Sequence, residues 1–205
     1  MAKEFNATYW QERYETNQTG WDAGAITTPL KDYFDQITNR ELRILIPGCG
    51  NAYEAEYLYR HGFKNVFLVD VAPAPLHSFS ARVPDFPKEQ LLQQDFFDLQ
   101  GTYDLLVEQT FFCALAPRLR PAYAKKCAEL LAPGGKLMGL LFDTDFNHEG
   151  PPFGGSKEEY SAYFEPYFNF LHFETAYNSI APRQGRELFV LLQVKDDFRE
   201  AWPRQ

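Results

Sequence analysis

The sequence has no Cys-x-x-Cys pair, no paired histidines and no Lys/Arg-rich run, and each absence removes a class of function. Three cysteines, Cys49, Cys113 and Cys127, form an odd set at unrelated spacings, which points to free thiols in a reducing compartment. The four histidines, His61, His77, His148 and His172, are scattered, so no spacing brings two of them onto one metal ion. A formal net charge of −8 opposes binding to a polyanion, which excludes nucleic acid as the expected partner. No apolar run approaches the ~18–20 residues of a membrane span, and Met1–Asn6 hold no apolar leader. The expectation is a cytoplasmic protein. Neither a repeat nor a linker divides the 205 residues, which suit a single domain.

Aromatic residues, in contrast, are plentiful at 17%, with 19 Phe and 12 Tyr, so rings are available both for a core and for a ligand pocket. Tyr9, Trp10, Tyr14, Trp21 and Tyr33 crowd the first 40 residues, where short helices are expected around 7–16 and 27–39. The stretch between them, Asn17 to Gly24, is rich in loop formers. From residue 42 the texture changes to short apolar runs alternating with helical stretches. Strands are expected at 42–46, 65–69, 90–94, 103–107 and 136–142, with helices at 52–61, 73–82 and 118–132. Pro133-Gly134-Gly135 reads as the stop of the last of these helices. A helix near 157–166 then leads to two strands, 169–177 and 187–194, with no clear helix between them. The pattern predicts an α/β fold, doubly wound around a mostly parallel sheet, with a terminal antiparallel pair as a reversed edge.

Open α/β sheets bind ligands beyond the carboxyl ends of their strands. Gly48-Cys49-Gly50 follows the first strand and can turn tightly beneath a ligand. Asp70 ends the second strand, 20 residues beyond Gly50, where a carboxylate can accept the hydroxyls of a ribose. Gln94-Asp95-Phe96-Phe97 ends the third, offering an acid for an adenine amino group and a ring for its face. A dinucleotide fingerprint would place a small residue where Tyr53 stands. These residues in this order favour S-adenosylmethionine over NAD.

Several segments carry a family likeness: Ile46-Pro47-Gly48-Cys49-Gly50, Gln94-Asp95-Phe96-Phe97, Thr110-Phe111-Phe112-Cys113-Ala114-Leu115, Leu119-Arg120-Pro121-Ala122-Tyr123-Ala124 and Gly150-Pro151-Pro152-Phe153. With Tyr9-Trp10 and Gln18-Thr19-Gly20-Trp21-Asp22 ahead of them, the chain resembles the thiopurine S-methyltransferase family, and within it the halide and thiol methyltransferase branch. The resemblance implies a Rossmann-like class I methyltransferase with a mostly parallel seven-stranded sheet and an antiparallel C-terminal pair. Residues 1–40 would form a helical cap over the cofactor and 41–205 the core. It further implies that Trp10, Tyr14, Trp21, Gly48, Gly50, Asp70, Asp95, Phe96 and Gln109 meet S-adenosylmethionine, and that Trp21 and Phe153 face the acceptor. Relatives often carry Trp where Tyr14 stands, and Asp-Tyr-Thr or Asp-Arg-Gly where this chain has Glu108-Gln109-Thr110.

The implied activity is methyl transfer to a small soft nucleophile: a thiol, thiocyanate, bisulfide or halide. Opposite charges cancel in such a displacement, so excluding water and aligning the reactants supply most of the catalysis. Anionic acceptors need no base, whereas a thiol of pKa about 8.5 is a few per cent thiolate at neutral pH. Glu108 and Asp143 are the candidates for a base or water relay. The alternating acids of Asp143-Thr144-Asp145 read as part of a loop and not as a metal site. Two alternatives stay open: another small acceptor, such as a thiopurine or a selenium or tellurium species, and a non-catalytic S-adenosylmethionine-binding protein. The acceptor would be the partner of a monomer.

Overall fold

In the computed structural model, which describes residues 5–196 and Phe198, the chain forms two compact units, Met1–Leu99 and Gln100–Gln205. The starting residues Met1–Glu4, and the end of the 1–205 span beyond Phe198, lie outside the described residues.

The first unit opens with two short helices, α1 (Ala7–Glu15) and α2 (Thr28–Asp35). Asn6 caps α1 by accepting from the Tyr9 amide at 3.0 Å. Strands β1 (Ile44–Pro47), β2 (Val66–Asp70) and β3 (Leu91–Gln93) follow, all parallel, in the order β3-β2-β1. All four residues of β1 and four of the five in β2 are buried, as expected of parallel strands covered on both faces. Helices α3 (Tyr53–Arg60) and α4 (Pro73–Arg82) connect them. The bounds of α4 coincide with the sequence expectation, because Pro73 at the first helical position sets the start.

The second unit contains β4 (Tyr103–Gln109), α5 (Arg120–Leu130), β5 (Leu131–Phe142), α6 (Lys157–Phe164), β6 (Phe168–Thr175) and β7 (Glu187–Val194). Their sheet order is β4-β5-β7-β6, with β4 and β5 parallel and β7 antiparallel to both its neighbours. Two expectations are corrected here. The reversed strand is β7, which lies between β5 and β6 and is not the edge. Pro133-Gly134-Gly135 does not stop the helix: α5 ends at Leu130, and the extended backbone of Leu131 already begins β5. Pro133 disfavours a helical residue before it. The three residues instead sit in an irregularity of the β4–β5 ladder, where the register passes from Tyr103↔Leu131 to Leu105↔Lys136.

In the parallel pair β4 and β5, Gly139 stands opposite Glu108. A Cβ at Gly139 would lie 2.0 Å from the Glu108 carbonyl oxygen, a backbone atom that cannot step aside. Gly139→Ala is therefore expected to lower the urea-unfolding free energy by about 2–3 kcal/mol or more. Gly20→Ala, with nothing within 4 Å of its added methyl, should change it by less than about 0.5 kcal/mol. Equal stability of the two variants would refute this account of the strand pairing.

Candidate cofactor and acceptor site

In the first unit, the three strand exits converge. Beyond β1 the backbone takes positive φ at Gly48 (+55°) and Gly50 (+52°), and again at Ala52 (+52°) just before α3. Glycine at the first two positions removes the side-chain penalty of that conformation. Asp70, at the end of β2, reaches into this loop. Its Oδ2 accepts from the Gly50 amide at 3.2 Å and its Oδ1 from the Ala72 amide at 2.9 Å. The Gln94 amide, leaving β3, donates to the Asp70 carbonyl at 3.2 Å. Thus the glycine loop, the strand-2 acid and the Gln94–Phe96 segment come to one end of the parallel strands.

Asp70 is only 7% exposed, and burial pushes its carboxyl up to about 6, against the lowering effect of the amides that donate to it. Asp95 is exposed, with Oδ1 accepting from the Phe97 amide at 2.8 Å, so it caps the short helical turn Phe96–Asp98. Phe96 is 3% exposed and meets Phe97 edge-on at 5.5 Å between centroids, while Phe97 is half-buried.

The aromatic residues of α1 and its following loop form a cluster that reaches the glycine loop through Tyr14. Trp21 meets Trp10 at 5.6 Å and Tyr14 at 5.7 Å between centroids, both nearly perpendicular. The Trp21 indole donates to the Tyr14 hydroxyl. Burial, with Asp70 and Cys49 nearby, holds the Tyr14 phenol far above its ordinary range, so it stays neutral. The Tyr14 Oη lies 3.2 Å from where a Cβ on Gly50 would stand. A side chain at Gly50 would therefore be both strained in φ and crowded.

Sequence reasoning missed the ties that seat this segment. The Asp22 Oδ2 accepts from Asn51 Nδ2 at 2.5 Å and from Tyr53 Oη at 3.3 Å, joining the loop after α1 to the start of α3. On α1, Gln11 Oε1 accepts from the Ala74 amide of α4 at 3.0 Å. The Gln18–Asp22 motif was the available signal for Asp22, but its partners lie 29 and 31 residues away. Tyr53, which argued against a dinucleotide, puts its ring beneath the Arg82 guanidinium, 5.0 Å from the centroid.

In the second unit, the end of β4 is built around a buried carboxylate. Glu108 is 1% exposed. Its Oε1 accepts from the amides of Phe111 and Phe112, each at 2.8 Å, and its Oε2 accepts from Tyr123 Oη at 2.5 Å. Burial pushes its carboxyl up to about 7 despite these donors. Next to half-buried Gln109, Thr110 adopts φ +61°, a left-handed conformation that costs a β-branched residue about 1–3 kcal/mol.

The half-buried Phe153 donates its amide to the Cys113 carbonyl at 2.7 Å. Its own carbonyl and that of Gly154 accept from the buried Arg120 at 3.0 Å each. Asp143 accepts from the Lys157 amide at 3.2 Å, supporting the start of α6. Thr144 pairs with Gly155, closing the loop that carries Phe153 onto itself. Among the described residues, no group of three or more His, Cys, Asp or Glu gathers as a metal site, and no helix is long and apolar enough to cross a membrane.

The fold has close solved counterparts in shape. A crystal structure of Burkholderia thailandensis 1,6-didemethyltoxoflavin-N1-methyltransferase, with S-adenosylhomocysteine bound, matches with a TM-score of 0.74. The match covers 92% of this chain and 86% of that one, at 16% identity. The architecture is therefore that of the class I methyltransferases. Within that class, residues 5–198 match the Thiopurine S-methyltransferase (TPMT) family, and the chain belongs to it.

Two relatives span most of its length. "Probable thiol methyltransferase 2" of Arabidopsis thaliana is 29% identical over 193 residues, covering 91% of this chain and 85% of that protein. "Thiocyanate methyltransferase 1" of Brassica oleracea is 29% identical over 184 residues, covering 87% and 81%. The protein is an S-adenosylmethionine-dependent methyltransferase. The residues present fit that cofactor: a glycine cradle that a side chain would fill lies beside a buried carboxylate able to accept further donors.

Because Asp70 and Glu108 both hold their protons more tightly when folded, the stability they confer is complete below about pH 4 and is lost as pH rises through about 6 and 7 respectively. For Glu108, a rise from 4.5 to about 7 at 1.36 kcal/mol per unit corresponds to about 3 kcal/mol. Thermal unfolding from pH 4 to 8 should show Glu108→Gln losing about that much less stability than the native protein. Parallel curves would contradict the buried carboxyl.

Proposed function

We propose that this enzyme methylates a small soft nucleophile, a thiol or a sulfur anion such as thiocyanate or bisulfide, with halide within the same chemical reach. The observation that carries the reading is the ring cluster of Trp10, Trp21 and Tyr14, whose Tyr14 hydroxyl lies against Gly50 in the glycine loop beside Asp70. The likeness to a thiol and a thiocyanate methyltransferase supports the same acceptor class.

When bound, S-adenosylmethionine supplies an electrophilic methyl group on a sulfonium cation. In this reading Asp70 accepts the ribose hydroxyls, the backbone at Gly48 and Gly50 receives the amino-acid end, and Asp95 with Phe96 meets the adenine. Trp10, Tyr14 and Trp21 exclude water and offer ring faces to the cation, an attraction of roughly 0.5–2 kcal/mol per ring. Trp21 meets the acceptor. Dehydration leaves an anionic sulfur more nucleophilic, and alignment contributes up to roughly 7–11 kcal/mol, so no acid–base pair is needed for an acceptor that is already charged.

The same reading makes the chain one working domain, with residues 1–40 as the cap. The net charge of −8 and the scattered cations favour a small acceptor over nucleic acid. Three free buried cysteines accord with a cytoplasmic location. A monomer suffices, since every residue invoked comes from one chain.

Incubation with S-adenosylmethionine and thiocyanate, bisulfide, iodide or an alkyl thiol, followed by headspace analysis of the methylated products, tests the acceptor class. Product from at least one sulfur acceptor is expected, and silence with all of them despite bound cofactor would defeat it. Asp70→Ala should weaken S-adenosylmethionine binding at least tenfold by calorimetry, and Trp21→Ala should lower turnover. Because the ionised Asp70 is the form that accepts hydroxyl donors, the native affinity should fall as pH drops below about 6. An Asp70 variant with native affinity would refute the ribose assignment.

A further inference from the structure

We infer that Glu108 is a positioning residue: its carboxylate fixes the turn Gln109–Phe112 in the shape that presents this segment to the methyl acceptor, and takes no proton from it. The inference rests on the acceptor reading above for the identity of what the turn faces. Its geometric basis is independent of it.

The turn leaves β4 at the carboxyl end, where sheets of this kind place their ligands. Its backbone is held in a conformation that a threonine rarely adopts, with Thr110 at φ +61°. Such a conformation persists when the surroundings over-determine it, and Glu108 supplies that determination. One oxygen grips the two amides that follow Thr110, and the other is tied to Tyr123 on α5. The Tyr123 ring meets Phe111 and Phe112 edge-on, at 5.9 and 5.3 Å between centroids, so the tyrosine holds the carboxylate and the residues it grips. From the other side, β5 presses its backbone against Glu108 at Gly139, where no Cβ fits. The side chain is enclosed from strand, helix and turn.

A general base would need a lone pair directed at the acceptor. Here two amides and a phenol take three of the carboxylate's roughly four acceptor positions, and the side chain is only 1% exposed, so the remaining one is enclosed. The other titratable groups acting on it are Cys113 in the turn and Cys127 on α5, and burial raises the pKa of both thiols. They remain neutral near pH 7, and the groups that offset the burial of the carboxylate are its hydrogen-bond donors, Tyr123 and the Phe111 and Phe112 amides. An isosteric amide can keep this arrangement, since its oxygen serves the two backbone amides and its nitrogen donates to the Tyr123 hydroxyl.

The test compares Glu108→Gln, Glu108→Ala and the native enzyme, with an alkyl thiol and with thiocyanate, from pH 6 to 9.5. From pH 8 to 9.5, where Glu108 is ionised, Glu108→Gln should keep kcat/KM within about threefold on both acceptors, and any difference below pH 7 should be equal for the two, whereas Glu108→Ala should raise KM about tenfold for both. The Kd for S-adenosylmethionine should stay within about twofold in each. Selective loss of thiol transfer near pH 7 in Glu108→Gln, with thiocyanate transfer intact, would establish a base and overturn the inference. So would a folded Glu108→Ala enzyme with native KM values.

If Glu108→Ala does not fold, Tyr123→Phe replaces it, with an expected threefold rise in both KM values; native values would overturn the inference. If the native enzyme binds cofactor but methylates neither acceptor, the proposed function fails, and hydrogen exchange at the Phe111 and Phe112 amides decides the role of Glu108. Exchange at least tenfold faster in the variant lacking the carboxylate supports the grip, and unchanged exchange removes it.

Discussion

The bond from the Gly50 amide to the Asp70 carboxylate, 3.2 Å long and buried, is the constraint on which the proposed cofactor site depends. It ties the turn after β1 to the end of β2, so the loop keeps its two left-handed glycines while Asp70 stays beside it. Burying a carboxylate is costly, as its pKa near 6 records, and amide donors offset part of that cost. Hydroxyl donors from a bound ribose would offset more. In the proposed reading, the carboxylate that is costly to bury is the one whose remaining acceptor capacity a ribose would meet.

A second buried carboxylate plays a parallel part in the other unit. Glu108 organises a turn with a left-handed threonine, as Asp70 organises a loop with left-handed glycines. Both acids stand at or next to the carboxyl end of a parallel strand, and both accept from backbone amides just beyond it or across from it. Each site thus rests on a polar group whose desolvation is tolerated because neighbouring main-chain donors are locked in place. Arg120 does the same with opposite charge, holding two carbonyls of the loop that carries Phe153.

For a methyltransferase acting on a soft nucleophile, this economy is chemically reasonable. The reaction joins a cation and an anion into neutral products, so a dry, ordered pocket accomplishes much of the work. Buried polar groups then serve to hold backbone where it must be, and the rings that crowd the first 40 residues can serve to exclude water. The tie of Asp22 to Asn51 and Tyr53 joins the loop that carries Trp21 to the start of α3.

The succession of strands and helices was legible in the residues themselves, because burial on both faces leaves continuous apolar runs and Pro73 marks a helix start. The glycine loop, Asp70 and the Gln94–Phe96 segment were legible for the same reason: strand ends are short-range features. The position of β7 between β5 and β6 was not, since pairing partners are chosen by long-range packing that leaves no local mark. The early end of α5 was hidden because a Pro-Gly-Gly run suits a strand irregularity as well as a helix stop. Sequence alone determined the class of chemistry, through residue types at the strand ends together with the motifs that carry the family resemblance. Tertiary structure alone decided the surroundings of Glu108, an acid that looked available in the chain. Its three donors come from the turn behind it and from a helix 15 residues on, and only folding brings them together.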